Sequence, residues 1–600
     1  MTWFLFFEYI LIFFSIALGL GFIVGILWLY YQWHLNIYAW ALGLARPSHR
    51  VRVEYNVLIP ISDGVMLVGD VYHPKGSGKQ PTIIIRTPYG KGNKEHSYPL
   101  IASIFCSQGY NVLIQDVRGK YGSEGVFQPF INEERDGKET IEWVCRQEWS
   151  NGKVGMFGFS YLGTCAWLAS SNGPEALKAI VPLFCCQNAY TAWVDRGVPY
   201  LKDILFWLSK HHGRKGRLIS HEEIDQMILL LPVLQFDQRI KDGIDTFKTW
   251  MEHLEDDDYW RSFSISPRRE TITVPALFFG GWFDRFVSNT INDFFKTLKA
   301  TTSTAAKKSR MVIGPWAHQP TELFLEMDFG KESYFRAYIA EFVHWFDVWL
   351  KGKDYDFDNR YPIRYFMMGK NEWRHTATWP PIGFREKKFY LSSNGRANTF
   401  YGDGELLEGS RELPSSDEYV YDPENPTPTM GNKMLYGNKT DGPREQSRLY
   451  RRHDILFYHT KKFDQALELA GPVEVVLYVS SSAKDTDFCA KLCDVHPDGK
   501  SYFLLSGFVR MRFLDSVKAT HGIEAGRVYR IALNLGDTAH TFLQGHRMQL
   551  QICSADFPNH ERNLNTGGSN EGDSDEIKAF ETIHHGGSFD AHLSLPVSLT

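Results

Sequence analysis

Short, unbroken apolar runs separated by helical stretches fill this sequence up to about Tyr361, and strand-like runs almost alone fill it afterwards. Thr82–Arg86, Tyr110–Gln115, Lys153–Phe157, Ala179–Leu183, Ala276–Gly280 and Arg310–Ile313 are short and mostly apolar, and each predicts a strand covered on both faces. Helical stretches near Pro99–Ser107 and Glu134–Arg146 fall between them, so the pattern predicts a parallel sheet in an α/β unit. Arg52–Pro60 and Val65–Tyr72 flank Ser62-Asp63-Gly64 and read as a hairpin ahead of that sheet. Between Gln187 and about Ser266 the pattern turns mostly helical, with Glu222–Leu231 and Gly243–Leu254, the size of an inserted cap over one end of the sheet. Ile363–Met368, Lys388–Leu391, Val473–Val479, Arg527–Asn534 and Arg547–Cys553, with turns rich in Gly, Pro, Asn and Asp, predict a separate all-β domain of sandwich or jelly-roll type.

A chain of 600 residues has room for such a division. Its 65 basic and 70 acidic residues give a net charge of −5 with no Lys/Arg run, so composition offers no nucleic-acid-binding surface. Eight cysteines are too few for a dense disulfide framework; several lie in apolar segments and read as buried reduced thiols. Cys489 and Cys493 lack a neighbouring ligand pair, which argues against zinc there, and Ser569–Glu576 reads as a polar surface loop rather than a calcium site.

The run Tyr9–Tyr31 contains no charge and is long enough to cross ~30 Å of hydrocarbon as a helix. Trp28, Tyr30, Tyr31, Trp33, Tyr38 and Trp40 cluster at its C-terminal end, as interfacial aromatics do. A cleaved signal peptide would want a basic start that residues 1–8 lack, although Gly43-Leu44-Ala45 resembles a cleavage site. The expectation is a retained single-pass anchor in the lipid bilayer. Arg46, Arg50 and Arg52 follow the run and place the large domain on the cytoplasmic face.

The sharpest chemical signal is Val154–Gly163, in which an apolar strand ends in Gly158-Phe159-Ser160 and a helix of small residues begins. A tight strand–turn–helix of this kind pushes a serine hydroxyl out above the sheet, and side chains at 158 and 163 would clash with the helix or sheet. The spacing here is Gly-x-Ser-x-x-Gly rather than the commoner Gly-x-Ser-x-Gly. A serine needs a base oriented by a carboxylate, and on α/β-hydrolase sheets these follow in the order acid, then histidine. Asp284 stands just past Phe278–Phe283, and His318 just past Ile313–Ala317, in that order. An oxyanion needs donors. The N–H of Tyr161 is one candidate; Tyr89, in the loop Ile85–Gly90, offers either its phenol or a backbone group.

Ser62–Val65, Arg86–Gly90, Asp116–Gly125, Gly158–Gly163, Gly280–Asp284 and Gly314–His318 together resemble the CocE/NonD hydrolases, the cocaine-esterase-like relatives of X-Pro dipeptidyl-peptidases and α-amino acid ester hydrolases. Ser481–Phe488, Asp494–Gly499 and Gly545–Arg547 look like the C-terminal jelly roll of that family. The resemblance implies Ser160 as nucleophile, His318 as general base, Asp284 as its orienter, and the Tyr89 phenol with the Tyr161 N–H as oxyanion hole. It implies no metal or organic cofactor. Asp116 and Arg118, within a shared motif, read as structural, holding a loop by charge-assisted hydrogen bonds. The expected architecture is an N-terminal anchor (1–50), an α/β-hydrolase domain (51–186 and 267–360) with a helical cap (187–266), and a jelly roll of galactose-binding-like type (361–600).

Arg285, Phe286 and Val287 follow Asp284, so the carboxylate cluster of the amino-ester branch is not evident, and the cap offers no clear anionic pocket for a peptide N-terminus. The acidic run Glu255–Asp258 reads as a solvated helix end. The leading expectation is an enzyme cleaving a small-molecule ester or amide, or a peptide, through an acyl-enzyme. An X-Pro dipeptidyl-peptidase is the alternative within enzymes. An anchored binding protein using the jelly roll is the alternative of another class. Oligomeric state is left open.

Overall fold

The computed structural model describes residues 33–94, 96–217, 219–235, 244–319, 324, 326–355, 361–436, 441–514 and 522–598. Its first sheet is ten-stranded. The strands are β1 (Val51–Pro60), β2 (Met66–Pro74), β3 (Gln80–Thr87), β4 (Asn111–Asp116), β5 (Ser150–Phe159), β6 (Leu177–Leu183), β7 (Leu277–Phe283), β8 (Arg310–Ala317), β9 (Ile363–Met367) and β10 (Glu372–Thr376). Their order is β1-β2-β4-β3-β5-β6-β7-β8-β9-β10. Neighbours run parallel from β4 to β9, and the antiparallel β1–β2 hairpin and β10 close the two edges.

The unbroken apolar runs follow from burial on both faces. In β3, Ile83 and Ile85 point into one apolar layer and Ile84 into the other. Helices α1 (Tyr98–Ser107), α2 (Glu133–Cys145), α3 (Tyr161–Ala169), α7 (Val287–Ala300) and α8 (Ile339–Lys351) supply those layers. Between β6 and β7 the chain is mainly helical, with α4 (Leu201–His211), α5 (His221–Met227) and α6 (Asp245–Glu252).

The second sheet is eleven-stranded. It comprises β11 (Phe384–Ser392), β12 (Glu405–Leu407), β13 (Ser415–Tyr421), β14 (Leu456–His459), β15 (Leu467–Ser481), β16 (Asp487–Val495), β17 (Ser501–Arg510), β18 (Tyr529–Phe542), β19 (Arg547–Cys553), β20 (Ala579–His585) and β21 (His592–Ser598). Pairing is antiparallel apart from β12 with β14. Leu469, Val475, Leu492, Leu550 and Leu593 lie in its apolar core.

Ile363–Met367, read in the sequence as the first strand after 361, pairs in parallel with β8 and extends the first sheet, because its apolar residues finish the edge that β8 leaves open. One expectation is corrected, and it concerns the membrane. Among the described residues no helix is long and apolar enough to cross a membrane. The run Tyr9–Tyr31 lies outside those residues. The helix over 33–41 packs on the protein instead: Ala39, and then Leu42 and Leu44, are buried in the core of the α/β half. Neither a bilayer partner nor a cytoplasmic-face localisation is therefore assigned.

The two halves are clamped through β10 and β15. Arg374 donates to both oxygens of Glu468 at 2.7 and 2.8 Å, and Lys370 adds a third bond at 2.6 Å. The eight cysteines are free thiols, all buried except the half-buried Cys145.

Candidate active site

The turn from β5 to α3 is built by its glycines. A Cβ on Gly158 would sit 2.2 Å from the carbonyl of Leu162, and one on Gly163 would sit 2.7 Å from Cys185 Sγ. Only glycine lets helix and strand approach so closely. Ser160 itself is held at φ 57°, ψ −123°, a conformation that costs a non-glycine residue ~1–3 kcal/mol. The strain turns its hydroxyl away from the sheet and leaves Tyr161 as the first residue of α3, whose N–H has no intrahelical acceptor.

β7 ends at Phe283 and β8 at Ala317, so Asp284 and His318 emerge at the same sheet edge as Ser160. His318 Nε2 lies 3.0 Å from Ser160 Oγ, and His318 Nδ1 lies 2.8 Å from Asp284 Oδ1. Asp284 is fully buried, and its other oxygen accepts from the backbone N–H of Phe286 at 3.2 Å. With Nδ1–H donating to the carboxylate, Nε2 carries the lone pair facing the serine. The rings of Phe159 and Phe286 pack against the imidazole at 5.2 and 5.4 Å between centres, keeping water from it.

Tyr89 and Ser160 line one pocket with Phe130, Trp193, Trp207 and Phe286. The free space among them is about 30 Å³, near the room of one water. Tyr89 is buried, and its hydroxyl accepts from Trp207 Nε1 at 3.2 Å, which leaves its own proton to donate elsewhere. Burial pushes the phenol above its ordinary value, so it stays protonated at neutral pH. The Tyr161 side chain is turned the other way. Its hydroxyl donates to Glu133 Oε1 at 2.8 Å and accepts from the N–H of Phe130 at 3.0 Å. Glu133 is paired with the buried Arg86 at 2.7 Å, and burial pushes its carboxyl upward against that pairing. This network pins Tyr161 through its side chain.

Asp116 and Arg118 are engaged in loop contacts. Arg118 donates to Asp136 at 2.9 and 2.7 Å and to Asp63 at 2.9 Å. Asp116 accepts from the N–H of Lys91 at 2.7 Å, and burial raises its carboxyl to about 6. In the acidic run, Asp257 caps the short helix that follows by accepting from the N–H groups of Tyr259 and Trp260, and Asp256 accepts from Asn188. Sequence reasoning missed the aromatic lining from the helical segment, Trp193 and Trp207, and the two residues from the β half, Leu435 and Tyr436. None has a local signal; an aromatic side chain in a helix or loop looks the same whether it faces a core or a pocket.

A parallel sheet carrying a strand–turn–helix serine at its edge, joined to a β-rich half, defines an enzyme of the α/β-hydrolase class. Residues 63–320 match the X-Pro dipeptidyl-peptidase (S15 family), and residues 356–594 match the X-Pro dipeptidyl-peptidase C-terminal non-catalytic domain. The chain is 34% identical over 576 residues to the cocaine esterase of Rhodococcus sp. (strain MB1 Bresler), spanning 91% of this chain and 98% of that one. It belongs to the CocE/NonD family of cocaine-esterase-like serine hydrolases. Two solved structures share the fold. An aminopeptidase from a marine-sediment Thaumarchaeota archaeon has a TM-score of 0.80 at 22% identity, covering 92% of this chain and 96% of that one. An α-amino acid ester hydrolase has a TM-score of 0.79 at 23% identity, covering 92% and 98%.

Proposed function

We propose that the chain hydrolyses a carboxylic ester with a neutral, apolar or aromatic acyl group, using Ser160, His318 and Asp284. The observation that carries this reading is the unbroken contact from Asp284 through His318 to Ser160, at 2.8 and 3.0 Å. Ser160 Oγ attacks the carbonyl carbon while His318 Nε2 takes its proton. Asp284 keeps Nδ1 protonated and stabilises the imidazolium that forms. The tetrahedral oxyanion is met by the Tyr161 N–H and the Tyr89 hydroxyl, whose second hydrogen bond, from Trp207, fixes its direction. His318 then gives its proton to the leaving oxygen, the C–O bond breaks, and an acyl group remains on Ser160. A water deprotonated by the same nitrogen releases the acid and restores the serine.

The pocket supports the acyl-group reading. Among the described residues its wall carries hydroxyls, thiols and aromatic rings but no carboxylate or cation. A substrate ammonium group would find no counter-ion there. The X-Pro dipeptidyl-peptidase alternative requires one, and Asp256 and Asp257 are occupied by local contacts. The free volume of about 30 Å³ is smaller than an acyl group, so in this reading the lining side chains shift when substrate enters. The binding-protein alternative has a cleft of about 810 Å³ in the β half, lined by Arg452, Asp454 and Phe580 among others, but it leaves the serine, histidine and aspartate contacts without a purpose. In this reading 187–266 is the helical cap, and the jelly roll begins after β10 rather than at 361.

The test is a panel of aryl benzoates, aryl acetates and Xaa-Pro-anilides, with the wild type and Ser160→Ala. Aryl esters should turn over with an excess of at least ~100-fold in kcat/KM over the anilides, and activity should vanish in the variant. Faster anilide cleavage would reverse the assignment in favour of the peptidase.

A further inference from the structure

Asp494, His496 and His546 form a cluster of metal-ligating side chains away from the proposed active site. They belong to the stretches Asp494–Gly499 and Gly545–Arg547, to which the hydrolytic chemistry gives no task. Strand pairing explains why they meet. β16 and β19 are antiparallel neighbours, with Asp494 opposite Met548 and Val495 opposite Arg547. The turn after β16 and the turn before β19 therefore leave the sheet at the same end, and bring His496 and His546 next to Asp494.

One ligand atom from each residue lies within 4.8 Å of the other two. His546 Nδ1 is 2.9 Å from Asp494 Oδ1, and His496 Nε2 is 3.6 Å from Asp494 Oδ2. The two imidazole centres are 4.5 Å apart. A tetrahedral ion with bonds of ~2.0–2.1 Å separates its ligand atoms by roughly 3.3 Å, so small rotations would complete the set. At 3.6 Å His496 approaches the carboxylate at ion-pair range rather than at a short hydrogen-bond distance, while its ring packs against Tyr502 at 4.7 Å between centres. Asp494 and His546 are buried while His496 is half-buried, so the open position of the site faces the solvent. Buried His540 directs Nε2 at Asp494 Oδ2 from 3.0 Å, and its Nδ1 has no partner among the described residues. Such a bond orients a ligating carboxylate.

We propose that Asp494, His496 and His546 bind a divalent transition ion of the zinc class, with His540 orienting the carboxylate. Two imidazoles and one carboxylate suit zinc, whereas calcium and magnesium prefer all-oxygen sets. On binding, His546 Nδ1 exchanges its hydrogen bond to Asp494 for a bond to the ion, and the ring proton moves to Nε2; His496 binds through the lone pair of Nε2. A water fills the fourth position. None of these residues lines the Ser160 pocket, so the ion ties two turns of the β half together and leaves the hydrolytic groups alone.

The full chain, stripped with a chelator, is incubated with Zn²⁺, desalted, and its zinc counted per chain. The wild type should retain about one ion. His496→Ala, at a half-buried position, should lose it, while His453→Ala, an exposed histidine elsewhere on the β half, should retain it. His540→Gln should weaken binding by ~10–100-fold. Co²⁺ should give the visible absorption of a tetrahedral site in the wild type and not in His496→Ala. Unchanged ester hydrolysis by His496→Ala shows that the variant is folded. No zinc retained by the wild type, or equal retention by His496→Ala, overturns the site.

Discussion

In the α/β half, Ser160, Asp284 and His318 each follow directly on the C-terminal end of a parallel strand, β5, β7 and β8. In the β half, the contributors to the same pocket, Leu435 and Tyr436, come from irregular chain between β13 and β14. The parallel sheet gathers reactive side chains at one edge because all its central strands point the same way. The antiparallel sheet sends consecutive strands in opposite directions and has no such common edge, so what it adds to the site is a contact surface. Reaction chemistry is thus proposed for one half and fit to the acyl group for both.

Substitutions can break that division of labour, and the largest effect belongs to the α/β half. Ser160→Ala should lower kcat by ~10⁴–10⁶-fold with an unchanged circular dichroism spectrum, since the turn is held by its glycines. Tyr89→Phe should lower kcat by ~10²–10³-fold with little change in KM if, as proposed, the hydroxyl donates to the developing oxyanion. Steady-state kinetics separates the two parameters. From the β half, Leu435→Ala should reduce kcat/KM for aryl benzoates by roughly tenfold and that for acetates less, the signature of lost packing against the acyl group. A kcat loss for Leu435→Ala as large as that for Tyr89→Phe would erase the distinction between the halves.

The smallest effect concerns the clamp between them. The Glu468 carboxyl is held down to about 2, chiefly by its hydrogen bonds to Arg374, against the opposing effect of burial. A folded-state value below the ordinary 4.5 contributes stability above that pH, and the contribution is lost as pH falls from about 4.5 toward 2. Arg374→Ala should therefore cost about 1 kcal/mol at pH 7, solvent screening included, and the difference from wild type should shrink on acidification through that window. Urea titrations at pH 7 and pH 3.5 measure both.

The same contrast governs what was legible in the sequence. Every parallel strand through β8 announced itself as an apolar run, and the three residues just past β5, β7 and β8 could be named because the topology fixes where such residues sit. Glycines 158 and 163 could be assigned a steric task from the motif alone. The β9–β10 edge could not, because a strand finishing a parallel sheet and one opening an antiparallel sheet have the same composition; only pairing with β8 distinguishes them. Trp207 and Tyr436 reach the pocket through contacts between segments far apart in the chain, which no periodicity encodes. The direction of the Tyr89 phenol likewise rests on Trp207, a partner 118 residues away.

Covalent labelling by a fluorophosphonate probe, with the modified peptide identified by mass spectrometry, tests the proposed nucleophile most directly. The account predicts a single adduct on Ser160, absent in Ser160→Ala and formed at least ~10³-fold more slowly in His318→Ala. An adduct on another serine, or undiminished labelling of Ser160→Ala, would contradict it.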